Sequence, residues 1–183
     1  MSNIQLPNKV TQICTYCVMD NSDPEIEFDS LGVCNHCKQA LVTLKHKPYA
    51  LPATEKQQAW KQLIRQIKNS GKGKKYDCLI GLSGGVDSTY VAYLVKQAGL
   101  RPLAIHLDNG WNSELSVMNI ESICRKLDIE LYTKVLNWEE FKNLQLAFLK
   151  ASTPDSEVPT DHAIFASLFN LATKFNIKYN KSL

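Results

Sequence analysis

The stretch that most constrains the fold is residues 79–88, Leu-Ile-Gly-Leu-Ser-Gly-Gly-Val-Asp-Ser. The apolar run 78–82 has the length of a buried strand, and the residues from Ser88 onward carry an apolar face at helical spacing. Between them, Gly84 and Gly85 allow backbone N–H groups to converge without interference from a Cβ atom. A helix that begins directly after such a turn adds the positive end of its dipole. The stretch therefore predicts a strand, a tight turn and a helix that together bind an anion.

The polar residues of this turn indicate which anion it binds. The hydroxyl groups of Ser83 and Ser88 can donate hydrogen bonds to phosphate oxygens, and the carboxylate of Asp87 can hold Mg²⁺. No lysine lies between Ser83 and Thr89, so the turn is not a Walker loop. It also lacks the third glycine of the dinucleotide-binding pattern. We therefore predict a site for the pyrophosphate part of a nucleotide.

The chain after this turn alternates strands with helices. Residues 101–108 and 129–135 have the pattern of a second and a third strand, and a further strand is expected to begin at residue 176. Short connections of this kind predict the α/β class, a parallel sheet with helices on both faces. Such sheets bind ligands beyond the carboxyl ends of their strands, so the turns after the first two strands should face one cleft. Asp108 is a candidate for contact with a ribose, a metal or a substrate, and as a favoured turn residue it can equally cap its own turn.

Composition limits the classes of function. Of the 183 residues, 44% are hydrophobic and 21% are charged, which is normal for a globular protein with a core. A net charge of +3 is too small to indicate nucleic acid by itself. No apolar run approaches the ~20 residues that a membrane-spanning helix needs, and the first residues do not have a signal peptide's pattern, so the expected compartment is the cytoplasm. Six cysteines in that compartment favour metal binding over disulfides.

Four cysteines form a C-x2-C-x16-C-x2-C pattern near the N-terminus, namely Cys14, Cys17, Cys34 and Cys37. Two pairs of thiolates at this spacing can complete a tetrahedral site, which predicts a zinc ribbon with a structural zinc ion and a short strand over residues 26–28. His36 can replace one of the thiolates as an alternative ligand. Redox-active or free thiols are the other alternative for these four residues.

The loop at residues 83–88 resembles the pyrophosphate loop (PP-loop) of the ATP-pyrophosphatase superfamily, which has an adenine nucleotide alpha hydrolase-like fold. Taken with the cysteine module, the chain is similar to the N-acetyl sugar amidotransferases of bacterial surface-polysaccharide biosynthesis. The segments that carry this similarity, besides the loop, are Cys-Thr-Tyr-Cys-Val-Met-Asp at 14–20, Gly-Val-Cys-Asn-His-Cys at 32–37, His-Leu-Asp-Asn-Gly-Trp-Asn at 106–112 and Pro-Thr-Asp-His-Ala-Ile at 159–164.

The resemblance implies a reaction and its partners. Members of the superfamily split ATP between the α and β phosphates and transfer AMP to a substrate oxygen. The amidotransferases activate the acetamido group of a nucleotide-linked sugar in this way. Ammonia from a separate glutaminase subunit then replaces AMP and gives an acetamidino sugar for lipopolysaccharide or related glycans. The implied cofactors are ATP, Mg²⁺ and Zn²⁺.

The resemblance also assigns roles to residues of this chain. Catalytic roles fall on Ser83, Asp87 and Ser88, and Asp87 is also the implied magnesium ligand. Nucleotide contacts are implied for Leu82, Ser83, Gly84, Gly85, Val86, Asp87, Ser88, His106 and Asp108. Additional candidates for substrate contact are Asn109, Asp155 and Asp161. As an alternative, Thr160 or Asp161 can cap the apolar helix that is predicted over residues 163–175.

Two other functions stay open. A tRNA-thiolating enzyme of the same superfamily also combines zinc modules with this loop, but such enzymes use further cysteines near the site. Only Cys78 and Cys124 remain here, both on apolar faces. A non-catalytic ATP-binding module is the third possibility, because members of the amidotransferase family continue beyond the last residue of this chain. We predict a zinc-ribbon module over residues 1–44, a linker and helix over 45–75, and a PP-loop domain over 76–183 that is incomplete at its C-terminal end.

Overall fold

The chain divides into two compact units between Ala59 and Trp60. The structure is a computed structural model that describes residues 12–181. Residues 1–11 of the predicted cysteine module therefore lie outside the described residues.

In the part of the N-terminal unit that the structure describes, turns are followed by α1 (Asn35–Leu44), which the sequence pattern did not reveal, and the unit ends within the first residues of α2 (Ala53–Ser70). The expected strand over residues 26–28 is wrong, because only Phe28 of this segment pairs with another residue. The carboxylates of Asp23 and Asp29 accept hydrogen bonds from backbone N–H groups two residues further on. The segment 26–28 therefore lies between two turns, which leaves little extended chain for a strand. Two isolated antiparallel bridges are present in the unit, Ile13 with Asp20 and Phe28 with Cys34.

The second unit contains a four-stranded sheet. Its strands are β1 (Cys78–Gly81), β2 (Pro102–Asp108), β3 (Glu130–Val135) and β4 (Asn180–Lys181). All neighbouring strands pair in parallel, in the order β3-β2-β1-β4. The predicted α/β class with a parallel sheet is therefore confirmed. The strand expected from residue 176 begins four residues later, since Asn176 has a left-handed φ of 53° that ends the preceding helix.

Helices cover both faces of this sheet, as predicted. Side chains alternate between the faces along each strand, so Leu79 and Leu103 lie in one core cluster while Ile80 and Ala104 lie in another. The first cluster includes residues of α6 (Val158–Lys174), and the second includes residues of α3 (Val86–Gln97) and α4 (Glu114–Leu127). None of the described helices is long and apolar enough to cross a membrane. The helices after α1 are α2 (Ala53–Ser70), α3 (Val86–Gln97), α4 (Glu114–Leu127), α5 (Trp138–Lys150) and α6 (Val158–Lys174).

Helix α6 begins five residues earlier than the pattern predicted. Pro159 is in its first turn, where the missing backbone N–H of proline costs nothing. The N-cap residue is Glu157, and its side chain makes no capping hydrogen bond. Thr160 and Asp161 are thus inside the first turn and do not cap the helix, so the expected capping role is wrong for both.

The amino ends of β1 and β2 are joined by an ion pair between a buried carboxylate and a half-exposed guanidinium. Asp77 and Arg101 immediately precede these strands, and a guanidinium nitrogen of Arg101 lies 2.7 Å from Oδ1 of Asp77. The same guanidinium donates hydrogen bonds to the carbonyl oxygens of Gly71 and Lys74. The backbone N–H of Asp77 donates to the carbonyl oxygen of Arg101 at 2.8 Å. This cluster holds the loop before β1 against the start of β2.

Candidate functional site

The turn between β1 and α3 brings two hydroxyl groups together. The Oγ atoms of Ser83 and Ser88 are 3.2 Å apart, and the backbone N–H of Ser83 donates to Ser88 Oγ at 3.3 Å. The backbone N–H of Gly85 points toward Ser83 Oγ at 3.4 Å. Ser88 is buried, whereas Ser83 is exposed at the mouth of the turn. The two serines and the first amides of the helix therefore form a compact group of donors for an anion.

The two glycines of the turn have different structural roles. Gly84 has a φ of +79°, and a Cβ atom at this position would lie 2.9 Å from Cα of Ser116 on α4. Asn119 of α4 donates a hydrogen bond to the carbonyl oxygen of Gly84 at 3.1 Å. Gly85 is the N-cap residue of α3 in an extended conformation, and no side chain occupies the first N–H groups of the helix. Helix α4 thus supports the back of the turn, and the front stays open to a ligand.

A cavity of about 470 Å³ lies beside the turn at the carboxyl ends of β1 and β2. One wall consists of residues at the carboxyl ends of these two strands and in the turns that follow them, as expected for a parallel sheet. The opposite wall is the first two turns of α6. Residues that line the cavity include Leu82, Ser83, His106, Asn109, Asn112, Thr160, Asp161, Ile164 and Phe165.

His106 joins the two strands below the cavity. Its side chain is buried, and Nδ1 lies 3.0 Å from the carbonyl oxygen of Leu82. Because a carbonyl oxygen only accepts hydrogen bonds, this contact places a proton on Nδ1. Leu82 and His106, which were both predicted to contact the nucleotide, are therefore joined by a hydrogen bond.

Asp108 caps the turn after β2. Its Oδ1 atom accepts hydrogen bonds from the backbone N–H of Gly110 and from Nδ2 of Asn112, each at 3.0 Å. Of the two alternatives that the sequence left open, the structure shows the turn cap. Asp108 does not line the 470 Å³ cavity, and its contact with a nucleotide stays a prediction.

The remaining predicted residues are only partly brought together. Asn109 and Asp161 line the cavity from opposite walls. Val86 and Asp87 are exposed in the first turn of α3, outside the cavity lining. Asp155 is exposed in the loop before α6, where its carboxylate accepts the backbone N–H of Glu157 at 2.8 Å. The roles predicted for these side chains stay predictions.

Some residues of the site were not named as candidates from the sequence. Phe165 lines the cavity from α6, and Asn119 supports the turn at residues 83–88 (the phosphate loop) from α4. Asn112 also lines the cavity, as expected for the turn after β2, which was predicted to face the cleft. Asn119 and Phe165 are on helices, where one polar or aromatic residue in an amphipathic pattern gives no sign of what it contacts.

The four cysteines of the N-terminal unit converge on one point. Their Sγ atoms all lie within 4.8 Å of one another, with 3.9 Å between Cys14 and Cys37 and 3.8 Å between Cys17 and Cys34. Zinc–sulfur bonds of ~2.3 Å in a tetrahedron require sulfur atoms about 3.8 Å apart. The residues present therefore fit a four-coordinate zinc ion.

The surroundings of these sulfur atoms also suit a metal. Burial, the largest influence on Cys14, opposes ionisation, but backbone N–H donors from Tyr16, Cys34 and Cys17 together lower the pKa of Cys14 to about 6. Such N–H donors to sulfur stabilise thiolate ligands. His36 is exposed outside the cluster and pairs with Asp23, with 2.8 Å between Nε2 and Oδ2. The alternative of His36 as a ligand is thus not supported by its position.

Comparison with known proteins identifies the family. The family model described as NAD synthase matches residues 55–147, which is just over half of the chain. The chain belongs to the NAD synthase family. Membership of the PP-loop superfamily is therefore confirmed at this level. The narrower resemblance to the N-acetyl sugar amidotransferases stays a prediction.

The curated proteins that are similar to this NAD synthase family chain bear the names of different enzymes. A tRNA-specific 2-thiouridylase from Fusobacterium nucleatum is 29% identical over 108 residues, which cover 55% of this chain and 31% of that protein. A tRNA(Ile)-lysidine synthase from Chlamydia pneumoniae is 35% identical over 69 residues, covering 37% of this chain and 21% of that protein. The chain spans about a fifth to a third of the length of these curated relatives.

Similarity to a solved structure supports the fold. A glutamine-dependent NAD+ synthetase from Acinetobacter baumannii, in complex with ADP, has a TM-score of 0.50 and 19% sequence identity. The match covers 63% of this chain and 23% of that chain. At this level of identity the similarity concerns the parallel sheet and its helices alone.

Proposed function

We propose that the second unit binds ATP and catalyses transfer of AMP to an oxygen atom of a substrate. The observation that supports this proposal is the turn at residues 83–88, where the Ser83 hydroxyl lines the cavity, 3.2 Å from the hydroxyl of the buried Ser88, and the first amides of α3 carry no side-chain cap. Membership of the NAD synthase family adds a PP-loop precedent. In this proposal Ser83, Ser88 and the backbone of both glycines bind the β and γ phosphates.

The magnesium ion of this reaction would be held by Asp87. The carboxylate is exposed in the first turn of α3, next to the amides that would bind the phosphates. A bound Mg²⁺ supplies charge that stabilises the departing pyrophosphate. The contribution of the protein is to orient the α phosphate in the cavity and to keep the two hydroxyl groups directed at the phosphates.

We further propose that the substrate is the acetamido group of a nucleotide-linked sugar. Its amide oxygen attacks the α phosphorus of ATP, and pyrophosphate leaves. Ammonia, delivered by a glutaminase partner, then adds to the activated carbon, loses a proton, and AMP departs with the former amide oxygen. The product is an acetamidino sugar. Support comes from the segments that carry the family resemblance, because Asn109, Asn112, Thr160, Asp161 and Ile164 of those segments all line the cavity.

In the N-terminal unit, we propose a structural zinc ribbon. Four sulfur atoms within 4.8 Å of one another, with two of the distances at 3.8 and 3.9 Å, fit a complete tetrahedron, which leaves no position for a substrate or a catalytic water. The ion would supply folding free energy to a unit that has few buried apolar residues.

The reaction can be tested by measuring AMP and pyrophosphate. The purified chain is mixed with ATP and Mg²⁺, with or without ammonium and a UDP-linked N-acetylhexosamine. AMP release that needs both additions is the expected result, and Ser88→Ala should reduce it. ATP binding with no AMP release under any of these conditions would contradict catalysis by this chain and support a binding module.

A tRNA-thiolating activity is the second candidate, because a tRNA 2-thiouridylase is among the relatives. The cysteines outside the four-sulfur cluster are Cys78 and Cys124. Burial raises the pKa of Cys78 to about 12 and also raises the pKa of Cys124. Neither thiol is thus a ready thiolate for sulfur transfer. AMP release that depends on tRNA and a sulfur donor, and not on the sugar, would favour this second function.

A further inference from the structure

A second groove opens next to the nucleotide cavity and shares one wall with it. It encloses about 380 Å³ between the turn after β2, helix α5 and the loop before α6. Asn109 lines both spaces. The groove is also lined by Trp111, Gln145, Ser156 and Glu157, with apolar surface from Leu146 and Leu149. No step of the proposed reaction involves this groove.

Trp111 is held in one orientation although most of it is exposed. Its indole N–H donates to Oε1 of Gln145 at 2.6 Å, and its ring meets that of Trp138 edge to face with 5.4 Å between the centroids. Its backbone N–H donates to Oδ1 of Asn109 at 3.1 Å. The exposed fraction of Trp111 is nevertheless 65%. An aromatic ring that is oriented by two contacts of its own, on a backbone held by a third, and that is still open to solvent is a ready surface for stacking.

The turn itself is shaped to allow this arrangement. Gly110 has a φ of +83°, and a Cβ atom there would lie 2.8 Å from Cε3 of Trp138. A side chain at this position would push Trp138 away and remove the edge-to-face support of Trp111. Gly110 is therefore needed for the observed orientation of the exposed Trp111 ring.

The chemistry of the groove suits a sugar ring better than a phosphate. Amide, hydroxyl and carboxylate groups from Gln145, Ser156 and Glu157 can exchange hydrogen bonds with sugar hydroxyls. Lys142 lies in the groove, but its ammonium group is paired with Glu139 at 2.7 Å. A phosphate in the groove would therefore meet a carboxylate at Glu157 and a lysine that is already neutralised.

We propose that this groove binds the pyranose ring of the acetamido sugar, with Trp111 as its stacking surface. Asn109, between the two spaces, would direct the acetamido group toward the phosphate loop. The inference rests on the proposed amidotransferase function and adds the position of the sugar. The nucleotide part of the substrate is not assigned to this groove.

The test uses UDP-N-acetylglucosamine as a probe and saturation-transfer NMR to show which of its protons contact the protein. The expected result is the strongest transfer to pyranose ring and acetyl protons. Trp111→Ala should weaken binding about tenfold, and Trp111→Phe less, since a ring is kept but the bond to Gln145 is lost. Trp60→Ala, which truncates an exposed tryptophan of α2 outside the groove, is the matched control and should change nothing.

Three outcomes would overturn the assignment. These are strongest transfer to uracil protons, unchanged affinity in Trp111→Ala with the fold intact, and no binding of the probe to the wild-type chain. AMP release is measured on the same samples to separate the two proposals. Sugar-dependent AMP release that is insensitive to Trp111 rejects the groove and keeps the reaction. Trp111-dependent binding without AMP release rejects the reaction and keeps the groove.

Discussion

The four cysteines and the phosphate loop (residues 83–88) each bring several polar atoms together. The two sites differ in how far apart in sequence the residues that shape them lie. The sulfur atoms come from two short segments, 14–17 and 34–37, within one stretch of 24 residues, and they lie within 4.8 Å of one another. The phosphate loop gets its shape from α4, more than thirty residues away in sequence, through Ser116 and Asn119. The first site is specified by local spacing, and the second by packing of distant elements.

This difference implies different kinds of failure. A site made by local spacing depends on its ligands, and without a metal the unit has little else to keep it folded. A site made by packing depends on the elements behind it, so it can lose binding while every polar group of the loop is present. The four predictions below separate these cases.

The largest effect is expected for Cys34→Ser. Cys34 is fully buried, and its Sγ also accepts the N–H of Cys37 at the start of α1. Structural zinc contributes ~10–16 kcal/mol of apparent binding free energy in small modules, so losing one ligand should unfold this unit. Zinc content and amide NMR spectra would show it. Cys124→Ser is the control, and retention of zinc by Cys34→Ser would contradict the four-sulfur site.

Gly84→Ala should destabilise the second unit by about 2–5 kcal/mol and abolish ATP binding. A left-handed φ costs a non-glycine residue ~1–2 kcal/mol, and crowding by a new methyl group adds ~1–3 kcal/mol. Thermal unfolding and calorimetric titration with ATP would measure both effects.

Two other glycines sharpen this test. Gly73 has a φ of +77° with no atom within 4 Å of an added Cβ, so Gly73→Ala should show only the backbone cost. Gly85 has a negative φ, and its added Cβ would meet Ser83 Oγ at 3.4 Å, so Gly85→Ala should fold normally. Equal losses in all three variants would mean that packing against α4 does not shape the loop.

A smaller effect is expected on the pH dependence of folding stability, through Asp77 at the amino ends of the strands, away from the candidate site. Burial, the largest influence, raises the pKa of Asp77, but side-chain and backbone hydrogen bonds from Arg101 together hold it below its ordinary value. A lowered pKa in the folded state means that the stabilisation is complete above the unfolded pKa of ~3.9 and is lost as the pH falls through the folded pKa.

Asp77→Asn should therefore cost about 1.5–3 kcal/mol at neutral pH, as for hydrogen bonds to a charged group. The difference from wild type should shrink below about pH 4. Urea unfolding across this range measures it, with the exposed Asp155→Asn as control. A difference that does not change with pH would show that the Asp77 charge contributes nothing.

The smallest effect is expected for Asn119→Ala. It removes one hydrogen bond to the carbonyl oxygen of Gly84, which is worth about 1 kcal/mol. Unfolding should be affected by that amount and ATP affinity by a few-fold. Asn143→Ala on an exposed part of α5 corrects for the better helix propensity of alanine. If both variants bind ATP like the wild type, the support of the loop by α4 comes from Ser116 alone.

Much of the fold was predictable because its signals are local. The apolar run before the Ser-Gly-Gly turn predicted β1, and alternation of strands and helices predicted the parallel sheet. The residues that were predicted wrongly are at element ends. Pro159 marks the true start of α6, whereas the apolar pattern becomes visible only near Ala163. Phe28 carries the single bridge of a segment that was expected to be a strand.

The candidate site was predictable where its residues form a local motif and where a parallel sheet brings the ends of neighbouring strands together. Ser83 and Ser88 belong to a single recognisable turn, and the cysteines to a single spacing. Asn119 and Phe165 contribute through tertiary packing, which no periodicity encodes. Asp108 illustrates the limit, since a turn cap and a ligand contact need the same residue type at the same place.

The pairing of Asp77 with Arg101 has a consequence for how this scaffold can be altered. The two side chains lie at the amino ends of β1 and β2 and hold the starts of these strands together. The phosphate loop, the Asn109 turn and the exposed Trp111 all follow the carboxyl ends of the same strands. Register is therefore fixed at a distance from the groups that would select a substrate. We therefore expect that turns at the carboxyl ends of the strands can be changed for another specificity with the register of β1 and β2 kept, as long as their packing on α4 is preserved.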